Sequence, residues 1–174
     1  MVALPDTLSR ERHLELEGWH STLLGRRVGF TVLLVVVILA LLNVFGQRPS
    51  TATADAPAAR LQVYAPSHLR GGLLYMARIR VTAKQDLKNA TLVLDPGWAE
   101  SISINTIEPS PTNETSDNGR LSFELGHLAT GKSFVLFMQF QVNPTNIGHR
   151  SQNVELRDGN THIATVKRSA TFFP

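Results

Sequence analysis

The residues with the clearest chemical pattern are 126–133, Gly-His-Leu-Ala-Thr-Gly-Lys-Ser, which match the phosphate-binding loop G-x-x-x-x-G-K-[ST]. Such a loop needs a buried strand before it and a helix after it, because backbone N–H groups and the helix N-terminus hold the phosphates. Residues 134–142 alternate apolar and polar side chains, which predicts a strand instead. We therefore interpret the segment as a glycine turn between two strands and expect neither a nucleotide nor a cofactor.

The other side chains capable of chemistry are scattered along the chain. The C-terminal histidines lack metal-ligand spacing, no HExxH motif occurs, and the chain has no cysteine. The acids available for a catalytic carboxylate pair are Asp95, Glu100, Glu108 and Glu124. Scattered acids are usually solvated, and no Gly-x-Ser-x-Gly elbow is present. We expect a protein that is not an enzyme and holds no metal.

The distribution of charge limits the choice of partners. The net charge is +3, and residues 1–27 carry four arginines and four acids, so the excess lies in the C-terminal part. A charge this small and dispersed does not predict a nucleic-acid partner. Because an exported domain without disulfides must rely on its core, the absence of cysteine is more typical of a bacterial source than of an animal one.

One apolar run, from Val28 to Phe45, predicts a transmembrane helix. Its eighteen residues carry no charge and only Thr31 and Asn43 as polar interruptions. A helix of this length rises about 27 Å, close to the hydrocarbon thickness of a bilayer. An amide such as that of Asn43 is costly in hydrocarbon unless it is paired, which hints at a helix–helix contact.

The arginines beside the run predict its orientation. Arg26 and Arg27 adjoin its N-terminal end, whereas only Arg48 lies close on the other side. This asymmetry places the N-terminus in the cytoplasm and the C-terminal domain outside it, on a single-pass protein of the cell membrane. The alternative is a signal peptide cleaved near Ala54. Its apolar core would be unusually long, and Arg48 would lie between that core and the cleavage site.

Residues 1–27 form a short cytoplasmic juxtamembrane segment. If it is helical, Leu8, Leu16, Trp19 and Leu23 fall within one apolar stripe. Trp19 has the amphipathic ring that is enriched at membrane interfaces. The two interpretations are an interfacial or partner-binding helix, with Trp19 as a contact, and a mobile tail.

The C-terminal part is predicted to be a tethered β-domain. Residues 46–60 are rich in Ala, Thr, Ser and Pro, which is typical of an extended linker. From residue 61 the apolar residues recur with period two. In 73–83 this places Tyr75, Ala77, Ile79, Val81 and Ala83 on one face, with Arg78, Arg80 and Thr82 on the other. Further candidate strands are 61–64, 91–94, 102–104, 121–125, 134–142, 154–156, 162–166 and the end of the chain. Alternation with intervening turn residues predicts an antiparallel sandwich over residues 61–174.

The segment from Leu121 through Gly126 and Gly131 to Ser133 resembles a signature of bacterial immunoglobulin-like extracellular modules, including adhesion-associated ones. The signature is a strand, then Leu-Gly-x-Leu, then a glycine turn and a second strand. The loop at Asp95-Pro96-Gly97 is similar to one that follows an early strand in these modules. The resemblance covers about residues 70–145. It implies an all-β immunoglobulin-like antiparallel sandwich acting as a non-catalytic spacer or binding unit.

The candidate interaction residues are Trp98, after a Pro-Gly turn, and Asn105, in an irregular polar stretch. Trp98 is interpreted either as an exposed anchor or as a plug at one end of the sandwich. Our leading hypothesis is an accessory subunit bound to another membrane or envelope protein. The alternative is an ectodomain that binds cell-wall glycan or a secreted ligand, which an exposed Trp98, Tyr64 or Tyr75 beside a groove would favour.

Overall fold

The computed structural model describes residues 19–42, 44 and 46–174, with side chains from Leu23 onward. It divides the chain into two compact units between Gly46 and Gln47. The predictions for the segment before Trp19, for the Trp19 side chain, and for Asn43 and Phe45 lie outside the described residues.

The first unit contains the helix α1, Trp19–Leu41. Within the described residues it is the one helix long and apolar enough to cross a membrane, over Leu23–Leu41 with mean hydropathy 2.1. A signal sequence near the N-terminus has the same properties. The apolar side chains of this helix are exposed in the structure, so they require a surrounding apolar phase or partner.

The helix bounds differ from the predicted span 28–45. The helix begins before Arg26 and Arg27, because arginine is a good helix former and does not end a helix. It ends at Leu41, where the amide N of Val44 donates to the carbonyl O of Leu39 at 3.0 Å and closes a wider turn.

The second unit is built from short strands and one 3₁₀ turn, Pro96–Trp98. The strands are β1 (Pro49–Asp55), β2 (Ala59–Pro66), β3 (His68–Arg70), β4 (Leu74–Ala83), β5 (Leu87–Leu94), β6 (Ile102–Glu108), β7 (Asn113–Asp117), β8 (Arg120–Leu128), β9 (Ser133–Val142), β10 (Gly148–Ser151), β11 (Val154–Asp158), β12 (Thr161–Val166) and β13 (Ser169–Phe173).

These strands form two five-stranded sheets and one three-stranded sheet. Sheet I has the order β1-β2-β4-β9-β6, and sheet II has the order β12-β11-β5-β8-β7. Every pair in these two sheets is antiparallel. Sheet III, with the order β10-β13-β3, contains a parallel pair between β13 and β3. The prediction of antiparallel sheets together with an N-terminal apolar helix is confirmed.

Sheets I and II share one hydrophobic core. Leu61 and Ile79 of sheet I belong to the same buried cluster as Leu92 and Leu156 of sheet II. In β4 the burial alternates at every residue from Leu74 to Val81, as the period of two predicts. The apolar face therefore faces the core, and the intervening side chains face outward.

The prediction of an extended linker over residues 46–60 has to be corrected. Residues 49–55 form β1, which pairs with β2 along its whole length and packs Ala52 and Ala54 against the core. Small and polar side chains resemble a linker in composition, but an edge strand requires only backbone pairing and one modestly apolar face. Residues 42–48 are all that separates α1 from β1.

The candidate strands also omitted β7. Residues 113–117 form β7, and Asn118 and Gly119 make the turn into β8 with φ of 50° and 77°. Positive φ at both central positions defines a type I′ hairpin, for which Asn-Gly is the preferred pair. The candidate strands 154–156 and 162–166 correspond to β11 and β12, which pair as a hairpin around Gly159.

The turn from β1 to β2 generates a prediction about acid stability. Arg60 donates a 2.8 Å hydrogen bond to Asp55 and Lys84 donates a second, and together they lower the pKa of Asp55 to about 2. A carboxyl with a depressed folded pKa stabilises above its unfolded pKa of about 4 and loses that contribution as the pH falls toward 2. We expect Asp55→Asn to lower the urea midpoint at pH 7 and to match the wild type near pH 2.

The control is Glu108→Gln, because Glu108 forms no ion pair among the described residues. A midpoint difference for Asp55→Asn that stays constant across this pH range would contradict the assignment.

Candidate functional site

The outward face of sheet I carries side chains that a solvated sheet face does not usually carry. We call Tyr64, Met76, Arg78, Arg80 and Phe137 the aromatic–arginine face. Relative exposure is 36% for Tyr64, 59% for Met76 and 42% for Phe137. They stand at the outward positions of β2, β4 and β9, where polar side chains are expected, so their cluster is a candidate contact surface.

The strand register brings these side chains together. Arg78 pairs with Tyr64 of β2 on one side and with Phe137 of β9 on the other, which makes a row across three strands. The Arg78 guanidinium carbon lies 5.0 Å from the centre of the Tyr64 ring, within cation–π distance. Arg80 lies one pleat further along β4, opposite Gln62.

The charges on this face are not compensated. Among the described residues, neither Arg78 nor Arg80 forms an ion pair with a carboxylate. Glu108 of β6 stands opposite Phe137 in the same row but forms no ion pair with Arg78 or Arg80, so both guanidinium groups remain available to a ligand.

Sheet II is different, because its arginines are paired. The Glu155 carboxylate accepts hydrogen bonds from the guanidinium groups of Arg120 at 2.9 Å and Arg157 at 2.7 Å. The Arg120 guanidinium also lies 3.6 Å from the Asp95 carboxylate. Burial raises the pKa of Glu155, but the hydrogen bonds from Arg157 and Arg120 outweigh it, and the net shift is downward. These charges are satisfied within the fold, so the uncompensated arginines of sheet I stand out.

The aromatic–arginine face is shallow. A polar depression of about 290 Å³ lies between Thr51, Gln62, Tyr64, Arg78 and Arg80. An apolar one of about 150 Å³ is lined by Tyr64, Met76, Ala77, Arg78 and Phe137. The two share Tyr64 and Arg78 and hold no nucleophile with a base beside it. Tyr, Phe, Met and Arg are residues enriched at protein interfaces.

A second concave region, the edge groove, lies between the edge strands β6 and β7. It has a volume of about 550 Å³ and is lined by Ile104, Asn105, Thr106, Ile107, Glu114, Thr115, Ser116, Leu121 and Phe123. Asn105 is exposed here, at a bulge that shifts the register of β6 against β9. Glu114 is the charged residue of this lining.

Trp98 lies elsewhere, and its interpretation as an exposed anchor is wrong. Its side chain is 0% exposed, with its ring centre 5.5 Å from that of Phe140. Its indole N–H donates to the carbonyl O of Asn153 at 3.3 Å, and the Arg168 guanidinium lies 4.9 Å from its ring centre. The plug interpretation is the one the structure supports, because the short 3₁₀ turn directs the indole into the core.

Buried polar groups complete the plug. The Gln152 side-chain amide donates to the carbonyl O of Gly97 at 3.2 Å and to the Tyr75 hydroxyl at 3.5 Å. Tyr75 stacks on Phe140 with ring centres 4.9 Å apart, and burial raises the pKa of its phenol. Burial lowers the pKa of Arg168 to about 10, so this guanidinium remains charged at neutral pH. These groups serve the fold, and Gln152 and Tyr75 are closed to solvent.

The remaining predicted residues are placed as follows. Residues 126–133 run from β8 through a turn into β9, with no helix after them. Arg26, Arg27 and Val28 lie on α1, where the Arg26 guanidinium is 5.6 Å from the Phe30 ring centre, and Arg48 directly precedes β1. Within the described residues, no three His, Cys, Asp or Glu side chains come together to hold a metal ion.

Comparison with known proteins gives no family. No family model matches the chain, and no curated protein matches it. Among solved structures, the chain is similar to the C-terminal domain of wzt, with 14% identity and a TM-score of 0.41 over 74% of this chain and 81% of that one. It is also similar to part of a GH20 exo-β-N-acetylglucosaminidase from Vibrio harveyi in complex with N-acetylglucosamine. There the identity is 12% and the TM-score 0.26, over 73% of this chain and 18% of that one. TM-scores this low carry no argument about function.

The plug generates a stability prediction. Trp98→Ala should lower the free energy of unfolding by about 4 kcal/mol, because it empties a large buried site. Gly97→Ala should also destabilise, since the new Cβ would lie 2.2 Å from the carbonyl O of Ser151. Asn105→Ala is the control and should change stability by less than about 0.5 kcal/mol. Urea unfolding in detergent measures all three, and equal midpoints for Trp98→Ala and Asn105→Ala would refute the plug.

Proposed function

We propose that the protein is a non-catalytic, membrane-anchored binding protein whose β-sandwich recognises another membrane or envelope protein through the aromatic–arginine face. The observation that carries the proposal is the uncompensated pair Arg78 and Arg80 beside exposed Tyr64, Met76 and Phe137. The partner is expected to supply an acidic rim and apolar side chains. Covering two arginines without supplying carboxylates would cost several kcal/mol per charge.

The chemistry of the face favours a protein over a sugar chain. Sugars stack on open aromatic faces, but Arg78 lies over the Tyr64 ring at 5.0 Å and occupies part of that surface. Tyr75 and Trp98, the other rings considered for glycan binding, are buried. A flat face with apolar and arginine side chains is the composition of a protein interface. Glycan binding is therefore an outcome that the experiment below must distinguish.

The anchor is part of the same proposal. The candidate signal-peptide cleavage site near Ala54 lies inside β1, and cleavage there would remove most of a strand that pairs with β2 from Pro49 to Asp55. This supports an uncleaved helix. Arg26 and Arg27 then favour a cytoplasmic N-terminus and an exported sandwich. An immunoglobulin-like class for the sandwich is likewise proposed, supported by two antiparallel sheets around one core.

Topology provides the first test of this proposal. A reporter that is active only outside the cytoplasm, fused after Pro174, should be active, and the chain should keep the mass of the uncleaved sequence. Reversal of the flanking charge by Arg26→Glu with Arg27→Glu should reduce that activity, because lysine and arginine near the helix ends set the orientation. Activity of a cytoplasm-only reporter at the same position would contradict the proposal.

Partner binding provides the second test. The full-length chain is expressed at native level, crosslinked in cells and purified, and the crosslinked positions are mapped by mass spectrometry. Arg78→Glu with Arg80→Glu should lower recovery of the protein crosslinked to sheet I by at least about tenfold, because the charge complementarity is reversed.

The matched control is Lys88→Glu with Lys167→Glu, which makes the same charge change at exposed positions outside sheet I. The control should leave recovery unchanged. Equal loss in both variants, or a polysaccharide as the dominant crosslinked species, would contradict a protein partner at this face.

A further inference from the structure

The edge groove is the open side of the sandwich. On the opposite side, β1 and β2 of sheet I lie against β12 of sheet II. Between β6 and β7 the two sheets instead leave the groove, and the side chains of Ile104, Ile107 and Leu121 remain only partly buried. An apolar floor between two free strand edges is a feature that the aromatic–arginine face does not share.

The β7 edge has a regular backbone. The type I′ turn at Asn118-Gly119 makes Asp117 and Arg120 a hydrogen-bonded pair, and the pairing of β7 with β8 continues without a bulge. In an antiparallel ladder such pairs alternate, so Glu114 and Ser116 direct their N–H and C=O groups to the free edge. The β6 edge is interrupted by the bulge at Asn105. Of the two edges, β7 is therefore the one able to pair with another strand.

The charge around the groove favours a basic occupant. Strands β6 and β7 contain the acids Glu108, Glu114 and Asp117 and no Lys, Arg or His, and none of these acids forms an ion pair among the described residues. Glu114 lines the groove, and Glu108 and Asp117 are exposed at the ends of these strands. A basic segment gains attraction to this edge, whereas an acidic one is repelled.

The floor of the groove favours a polypeptide over a sugar. Its aromatic residue, Phe123, is 2% exposed, so the groove offers no ring on which a sugar could stack. Half-buried Ile104, Ile107 and Leu121 provide an apolar surface for every second side chain of an extended peptide.

We propose that the free edge of β7 accepts an extended, basic segment of a protein partner as an added strand, with its apolar side chains alternating into the edge groove. Main-chain hydrogen bonds to Glu114 and Ser116 provide the affinity, and the apolar floor with its acidic surroundings provides the selectivity. This site shares no residue with the aromatic–arginine face, so the proposal stands or falls independently of the proposed function.

The test uses the full-length chain in detergent and a short synthetic peptide that alternates Val with Lys and Thr. Added saturating peptide should slow amide hydrogen exchange at Glu114 and Ser116 by at least about tenfold, because those N–H groups would become hydrogen-bonded. A peptide in which Glu replaces every Lys should bind at least about tenfold more weakly.

Two variants distinguish the addition of a strand from peptide binding that involves no backbone pairing with β7. Ser116→Pro removes an outward N–H that makes no bond to β8, so it should abolish peptide binding with little change in stability. Glu114→Lys should weaken peptide binding about tenfold. This variant tests the proposed site even if Ser116→Pro fails to fold. Asp86→Lys, the same charge change in the exposed β4–β5 loop, is the control and should leave binding unchanged.

Three results would overturn the proposal. These are unchanged exchange at Glu114 and Ser116 with saturating peptide, wild-type affinity in a folded Ser116→Pro variant, and displacement of the peptide by a neutral chito-oligosaccharide. The last result would assign the groove to carbohydrate.

Discussion

The two-residue alternation of β4 and β9, paired at the centre of sheet I, determines both the core and the outward face of this sheet. On one face it buries Ile79 and Leu136 in the core shared with sheet II. On the other face the same pairing places Arg78 directly opposite Phe137. A slip of one residue would exchange these two faces, so the register that builds the core also assembles the aromatic–arginine face.

The bonding partners of the arginines distinguish those that stabilise the fold from those proposed to bind a partner. Arg168 is partly buried, rests on the Trp98 ring and donates to the carbonyl O of Pro66 at 2.7 Å. Arg120 is held by Glu155 across sheet II. Both arginines donate hydrogen bonds within the fold, whereas Arg78 and Arg80 form neither a side-chain hydrogen bond nor an ion pair among the described residues. An uncompensated charge beside exposed aromatic rings supports the proposal of a partner outside the chain.

Much of the core was predictable because strongly apolar alternation is an unambiguous pattern. That pattern located β4, β9 and the hairpin around Gly159. It missed β1 and β7, which have polar sequences and owe their form to pairing with β2 and β8. Local sequence contains no direct information about which strand lies alongside another, and edge strands depend on that pairing most.

The candidate site was less predictable than the fold. The outward direction of Arg78 and Arg80 followed from the period, but their clustering with Tyr64 and Phe137 required the strand order. The overlooked signal was an apolar residue at an outward position, namely Met76 in β4 and Phe137 in β9. The burial of Trp98 could not be predicted, because a Pro-Gly turn before a tryptophan is compatible both with an exposed loop and with a turn that buries the indole.

The most direct measurement replaces Met76 with a photo-crosslinking benzophenone amino acid in the full-length chain, in cells at native expression. Thr161, exposed on sheet II, is the matched position. We predict one dominant membrane or envelope protein that is crosslinked at position 76 and absent at position 161. Equal crosslinking at the two positions, or no protein product at position 76, would contradict a binding role for the aromatic–arginine face.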